Sequence, residues 1–326
     1  MATIRRILVA VKDTGARNVP AVQKAAQLAR ALGARLELFH AISDPVYVDA
    51  LAIAGQTVKQ LQKKWTDAHL AKLEKMAEKL RAEGTKVTTA VDWDFPAFES
   101  ILRRAVRIKA DLVVAERHAR RHIAPWLLRF NDWELLRRSR VPVLLVKSSQ
   151  PYDRPLVLAA VDPGHSFAKP ARLDTAILSI GQQFADALKG QLHAVHAFAP
   201  ATLDVDHLDL NLPNLSAHIE AEAAKYAKDG MDKELKASGI PPARRHLVGK
   251  HAVDAIPELA RELGSAIVVM GAVSRTGIKR LLIGNTAERI LDALSCDVLV
   301  LKPASFGSRV PRGRRGVQFI ATPMVT

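Results

Sequence analysis

The sequence contains a single cysteine, Cys296, in 326 residues, so no intrachain disulfide can form. That excludes a disulfide-stapled secreted scaffold and leads us to expect a reducing, cytoplasmic setting. Cys296 stands just before DVLVL with no second thiol to resolve an oxidised sulfur, so a packing role is expected. No apolar run approaches the roughly 18 residues that span a bilayer. Arg5-Arg6 precedes ILVAV, but Lys12-Asp13 ends that run too early for a signal peptide. Catalytic signatures are also scarce. No Ser-His-Asp order, glycosidase carboxylate pair or zinc-ligand spacing stands out. No nucleic-acid-binding module is recognisable either. The expectation is a protein that is not an enzyme, spans no membrane and does not bind nucleic acid.

Negative charge is in short supply. Against 48 Lys and Arg stand 33 Asp and Glu, a formal net charge of +15. Such a surface favours anionic partners without choosing among them. Part of the excess lies in the tail, at Arg309, Arg312, Arg314 and Arg315, and part between Arg117 and Arg140. Hydrophobic residues make up 48%, a globular balance, and the length suits two ordinary domains.

The first half alternates strand and helix. Ile4 to Val11 reads as a buried strand. Asn18 to Leu32 reads as a helix with Val22, Ala25, Ala29 and Leu32 on its apolar face and Lys24 facing away. Arg35 to Ala41 is a second strand, followed by a long helix from about Gln56 to Glu83. Lys86 to Val91, Leu112 to Ala115 and Pro142 to Lys147 complete five strands. Pro96 opens the helix before the fourth strand, and a helix around Asp132 to Arg138 precedes the fifth. Right-handed crossovers then give a parallel sheet with helices on both faces.

Ser148 to Arg154 is polar, contains Pro151, and reads as a linker. Beyond it the order repeats. Leu156 to Val161 echoes Ile7 to Val11, QLHAVHA echoes RLELFHA, AIVVM echoes DLVVA, and DVLVLK echoes VPVLLVK. The echoes lie about 150 to 156 positions apart, the mark of a tandem duplication. Past Pro303 no pattern continues.

The second half carries GAVSRTGIKRLLIGNTAE, from Gly271 to Glu288, between a strand and a helix. Gly271 lets the backbone turn and a ligand approach closely. Gly284, Asn285 and Thr286 stand where free N–H groups at a helix start favour an anion. Asp162 ends the first strand of this half, at the carboxyl edge where ligands of open α/β sheets bind. Its other reading is an Asp serving the turn Asp-Pro-Gly. His193 and His196, three apart on a strand, point to opposite faces and do not share an ion. His118 and His122 would meet on a helix, but the surrounding RHARRH opposes a cation.

The order glycine, two residues, a small residue, nine residues, glycine and a polar residue resembles the nucleotide loop of the universal stress protein family. Gly271 and Gly284-Asn285 match, and Ser274 stands where the second glycine is expected. Arg275-Thr276-Gly277 and Asn285-Thr286-Ala287-Glu288 look most like the E-type tandem members. The Asp132-Trp133 pair and DFPAFESIL agree in the first half. The resemblance implies an α/β fold of two tandem doubly wound, Rossmann-like parallel sheets of strand order 3-2-1-4-5. The domains are expected at 1–148 and 154–304, with a basic tail at 305–326 outside the resemblance.

It also implies adenine nucleotide as partner, with ATP, alone or with Mg2+, as cofactor. Asp162 would contact the adenosine and the backbone of Ala197 the adenine. Gly271, Ser274, Arg275, Gly277, Gly284, Asn285 and Thr286 would hold the phosphates. The function implied is a stress-response sensor or adaptor with protein partners. Two other classes stay open: a carrier or interaction protein for another anionic or partly apolar ligand, and a slow ATPase. In the first half Lys12 and Glu116 replace Asp162 and Gly271, and no glycine occurs from Glu116 to Lys147. One nucleotide site per chain is therefore expected. The two fifth strands, short apolar edges, are expected to meet antiparallel in a pseudo-dimer within one chain, with a homodimer as a further association.

Overall fold

The structure is a computed structural model that describes residues 3–47, 57–117, 133–163, 173–199, 215–272, 285–307 and 310–320. It divides into two compact units. One holds residues 152–306; the other holds residues 2–151 together with 307–326. Each is a five-stranded parallel sheet with flanking helices.

In the first unit of the sequence, β1 (Arg6–Ala10), α1 (Pro20–Leu32), β2 (Arg35–Ile42) and β3 (Val46–Tyr47) come first. Then follow α2 (Val58–Ala82), β4 (Val87–Trp93), α3 (Ala97–Arg107), β5 (Leu112–Glu116) and β6 (Val143–Val146). Residues 133–138 are helical. The strand order is β4-β2-β1-β5-β6, which in core-strand count is 3-2-1-4-5. Ile7, Leu8, Val9, Val113, Val114 and Leu144 are closed to solvent, because both sheet faces are covered.

The elements end where the sequence dictates. Gly33 takes a left-handed φ of 64° and caps α1 through bonds to the Ala29 and Arg30 carbonyls. Thr57 and Gln60 form a capping box at α2. One expectation is corrected. Lys24, expected on the outer face of α1, is 3% exposed, because burial spreads from Ala21 round to Leu28. In α3 the buried face includes Glu99 and Ser100 beside Phe98, Leu102 and Ala105.

The second unit repeats the plan. It contains β7 (Leu156–Val161), α4 (Leu173–Ala187), β8 (Gln191–Ala197), α5 (Leu215–Leu235) and β9 (Arg245–Val248). It closes with α6 (Ala252–Glu262), β10 (Ile267–Gly271), α7 (Asn285–Ala293) and β11 (Asp297–Leu301). The order β11-β10-β7-β8-β9 is again 3-2-1-4-5 read from the other side. Tyr152, from the stretch read as a polar linker, is buried; its hydroxyl donates to the Asp297 carboxylate at 2.6 Å. Burial first, and the Asp297 charge second, raise the Tyr152 pKa, so the phenol keeps its proton as a donor.

The tail does not run free. It adds β12 (Phe319–Ile320), which pairs parallel with β3 in the first domain. Val317 packs on the Ile42, Val46 and Trp93 cluster.

Candidate functional site

Strand registers make the two halves superimposable on paper. Leu8 pairs with Glu37 in the first, and Leu158 with His193 in the second. Val11 therefore corresponds to Val161, Lys12 to Asp162 and Ala41 to Ala197. The pairings of Ile7 with Leu112 and of Val157 with Ile267 bring Glu116 into correspondence with Gly271. The pairings of β5 with β6 and β10 with β11 do the same for Lys147 and Lys302.

In the second half the carboxyl ends of β7, β8 and β10 lie side by side, at the point where the sheet order reverses. Asp162 follows β7, and its N–H donates to the Asp174 carboxylate at the start of α4 at 3.2 Å. Ala197 ends β8, paired with Val248. Gly271 ends β10 with no positive φ. Its hydrogen faces α4: an added Cβ would lie 2.7 Å from Leu173 Cδ2 and 3.4 Å from Ile177 Cδ1. The close approach at this glycine is made by Leu173, a packing demand that glycine meets by having no side chain.

Asn285 begins α7, so the positive end of that helix faces the same edge, and Thr286 in its first turn is exposed. Ser274, Arg275, Gly277 and Gly284 lie outside the described residues. A group that sequence reasoning missed is Lys302. Its ammonium donates to the Ala272 carbonyl at 3.0 Å and lies 5.1 Å from the Phe306 ring centre. A cation is thus fixed at the mouth of the loop. The signal was available in the echo between the two terminal lysines, VPVLLVK and DVLVLK.

The first half presents a different edge. Lys12 is exposed. Asp13 turns back to accept from its neighbour Gly15 N–H at 2.7 Å. Glu116 is buried, and its carboxylate accepts the Ala21 N–H at 3.3 Å, at the start of α1. An internal anion thus sits at this helix N-terminus, where no side chain caps the helix. Thr14 and the Nδ1 of His69 are 2.7 Å apart, and His69 stacks on His40 with ring centres at 4.5 Å. Burial lowers the pKa of both imidazoles, and the His40 charge and Lys72 lower that of His69 further.

One histidine device is common to both halves. His40 Nδ1 lies 2.7 Å from the Val11 carbonyl, and His196 Nδ1 lies 3.3 Å from the Val161 carbonyl. A carbonyl only accepts, so each Nδ1 carries the proton and ties the second strand to the end of the first. The opposite face of β8 carries His193, stacked on His246 of β9 with Nδ1 and Nε2 3.0 Å apart. His193 and His196 thus serve different faces, as their spacing implies. Among the described residues no group of three metal-ligating side chains occurs. His118 and His122 lie outside the described residues.

The arrangement suits holding an anion in the second half. The start of α7 and the Lys302 ammonium supply positive potential, and the Asp162 position offers a carboxylate at the far side of the crevice. No helix among the described residues is long and apolar enough to cross a membrane.

Comparison with known proteins matches the universal stress protein family over residues 3–147 and again over 156–302. Universal stress protein E of Escherichia coli strain K12 is 27% identical over 317 residues, covering 95% of this chain and 98% of that protein. Among solved structures, a functionally unknown protein from Pseudomonas aeruginosa PAO1 is 27% identical at a TM-score of 0.70, covering 93% of this chain and 94% of that one. A universal stress protein from Archaeoglobus fulgidus DSM 4304 shares the fold at a TM-score of 0.61 and 16% identity, over 92% and 97% of the two chains.

Proposed function

Because the chain belongs to the universal stress protein family and carries two of its domains in tandem, we propose that its second domain binds one adenine nucleotide, ATP, and that the chain acts as a cytoplasmic sensor or adaptor in a stress response. Binding rather than turnover is the proposed chemistry. The observation that supports this reading most is the contrast at one register position. Gly271 brings no charge to the second half, its space being taken by the apolar Leu173, whereas Glu116 sets a buried carboxylate at the start of α1 in the first. A phosphate would meet like charge in the first half. In the second it would meet the start of α7 and the Lys302 ammonium.

The residues present fit a nucleotide in chemical kind. In this reading Asp162 and the Ala197 backbone would meet the nucleoside, and the start of α7 with the Lys302 ammonium would meet the phosphates. Bound ATP would supply the state to be sensed; a Mg2+ ion would accompany its phosphates.

Isothermal calorimetry of the full chain with ATP tests this. We expect a stoichiometry near one, loss of binding in Gly284→Asp, and affinity in Glu116→Gln within about twofold of the parent. Two equivalent sites, or binding that survives Gly284→Asp, would overturn the reading. No heat at millimolar ATP would favour instead a carrier for a partly apolar anion, with Leu173 and Ile177 as its apolar wall. Phosphate release following ATP at the rate of a slow ATPase would overturn the non-catalytic part alone.

A further inference from the structure

The tail is held on the first domain by a cluster of acids with no counterpart in the second. Arg315 forks onto Glu99, with Nε 3.0 Å from Oε2 and Nη2 2.7 Å from Oε1. The successive N–H groups of Arg315 and Gly316 both donate to Asp94 Oδ1 at 2.9 Å. Gly316 has a φ of 79°, a conformation few other residues adopt, and it turns its N–H toward the same oxygen as its neighbour's. Its carbonyl accepts from Phe95 N–H at 3.1 Å. Arg314 pairs with Asp92. Arg103, from α3, closes the cradle from below, bonding Asp94, Glu99 and the Pro311 carbonyl.

The charge arithmetic explains why a partner is needed. The side chains of Asp94 and Glu99 are each 1% exposed, and Asp92 is 17% exposed. Asp94 and Glu99 share one guanidinium of their own domain, Arg103, and Asp92 feels the charge of Arg104, which is itself forked onto Glu37; the tail supplies two guanidinium groups more. Buried carboxylates left without such a partner are strongly destabilised. At the matching positions of the second half stand Val248 and Lys250, the latter paired with Glu258 at 2.7 Å. The cradle is a property of the first half alone.

We propose that Asp92, Asp94 and Glu99 form a guanidinium site for arginine-bearing peptide segments, in which residues 312–320 of the same chain are the resident ligand. Recognition combines a bidentate fork, a second ion pair, two backbone donors on Asp94 and strand addition of β12 to β3. The fork demands arginine, since a lysine ammonium cannot match both oxygens of Glu99. The resident segment is displaceable by the same chemistry. Its arginine side chains stay more than half exposed, and its strand pairing is only two residues long. Attachment to the chain raises its effective concentration to the millimolar range, so a segment in trans competes only once the resident one is weakened.

The test uses the full chain. A fluorescent peptide of sequence VPRGRRGVQFI is titrated against the parent and against Arg314→Ala/Arg315→Ala, with anisotropy as the readout. We expect the double variant to bind at least tenfold tighter than the parent. Adding Glu99→Gln should abolish that binding, and a peptide with lysine for arginine should bind at least tenfold more weakly. Arg315→Lys and Asp92→Asn, milder changes, repeat both arms should the others unfold. Equal binding to parent and variant, no binding to either, or binding indifferent to Glu99→Gln would overturn the proposal. The result is independent of the nucleotide reading, because no residue is shared with that site.

Discussion

Glu116 and Gly271 occupy the same register, at the ends of β5 and β10, and do opposite things. Glu116 reaches the start of α1 and accepts the Ala21 N–H there; Gly271 leaves that space to Leu173 of α4. The two halves keep the same sheet order and the same histidine tie, His40 to Val11 and His196 to Val161. They differ where ligands of this architecture bind. A duplicated domain can thus retain its scaffold bonds while one copy fills its crevice with its own side chains. The outer strands diverge as well. Glu37 forks onto Arg104 in the first half, where the second has His193 stacked on His246.

The sharpest way to break the contrast is to transpose it. Gly271→Glu gives the second half the residue of the first. An added Cβ lies 2.7 Å from Leu173 Cδ2, so overpacking should cost about 1–3 kcal/mol. The carboxylate should lower ATP affinity by at least about a hundredfold, roughly 2.7 kcal/mol. Urea melts and calorimetry on the same preparation separate the two effects. Unchanged affinity would mean that the register position does not decide which half binds.

A second difference lies in how the halves are anchored. The second half has Asp297 at the start of β11, bonded by Tyr152; the first has Pro142 at that register. Tyr152→Phe leaves a carboxylate with 0% exposure short of one donor. We expect a loss of about 1–3 kcal/mol in denaturant unfolding. A loss below about 0.5 kcal/mol would show that other bonds satisfy Asp297 fully.

The smallest effect concerns acid. Burial lowers the pKa of His193 and of His246, and at His193 the charge of His246 and then Arg244 lower it further. The unfolded chain then binds protons more readily than the native one. Stability is retained above the usual imidazole range and falls as pH drops from about 6.5 toward the lowered native values. The first half has its own depressed pair in His40 and His69. His246→Gln should therefore flatten the melting-temperature profile between about pH 7.5 and 5 without removing the slope. A steeper profile in the variant would contradict the sign.

Much of the fold was legible because both halves write the same plan in short apolar runs and helix-stopping glycines. The repeat of RLELFHA as QLHAVHA located β2 and β8, and Gly33, at the end of the apolar helical pattern of α1, takes the positive φ that ends the helix. Of the candidate site, the sequence reading placed Asp162, Gly271 and Asn285 at element boundaries, and the structure has them there. Lys302 was missed because a lysine ending a strand reads as a solubilising charge until its carbonyl partner is known. The tail was read as patternless for a stronger reason. Arg315 meets Glu99 across 216 positions and Gly316 meets Asp94 across 222, so no local period announces either contact. Glu99 is buried on α3 between Arg103 of its own helix and Arg315 of the tail, and the second of these partners leaves no local trace in the sequence.

The claim that one half binds and the other does not is tested most directly by location. Irradiating the full chain with an azido-adenine analogue of ATP, followed by peptide mapping, reports which half is labelled. The account predicts label confined to residues 156–302 and competed away by ATP. Competable label within residues 3–147 would contradict it.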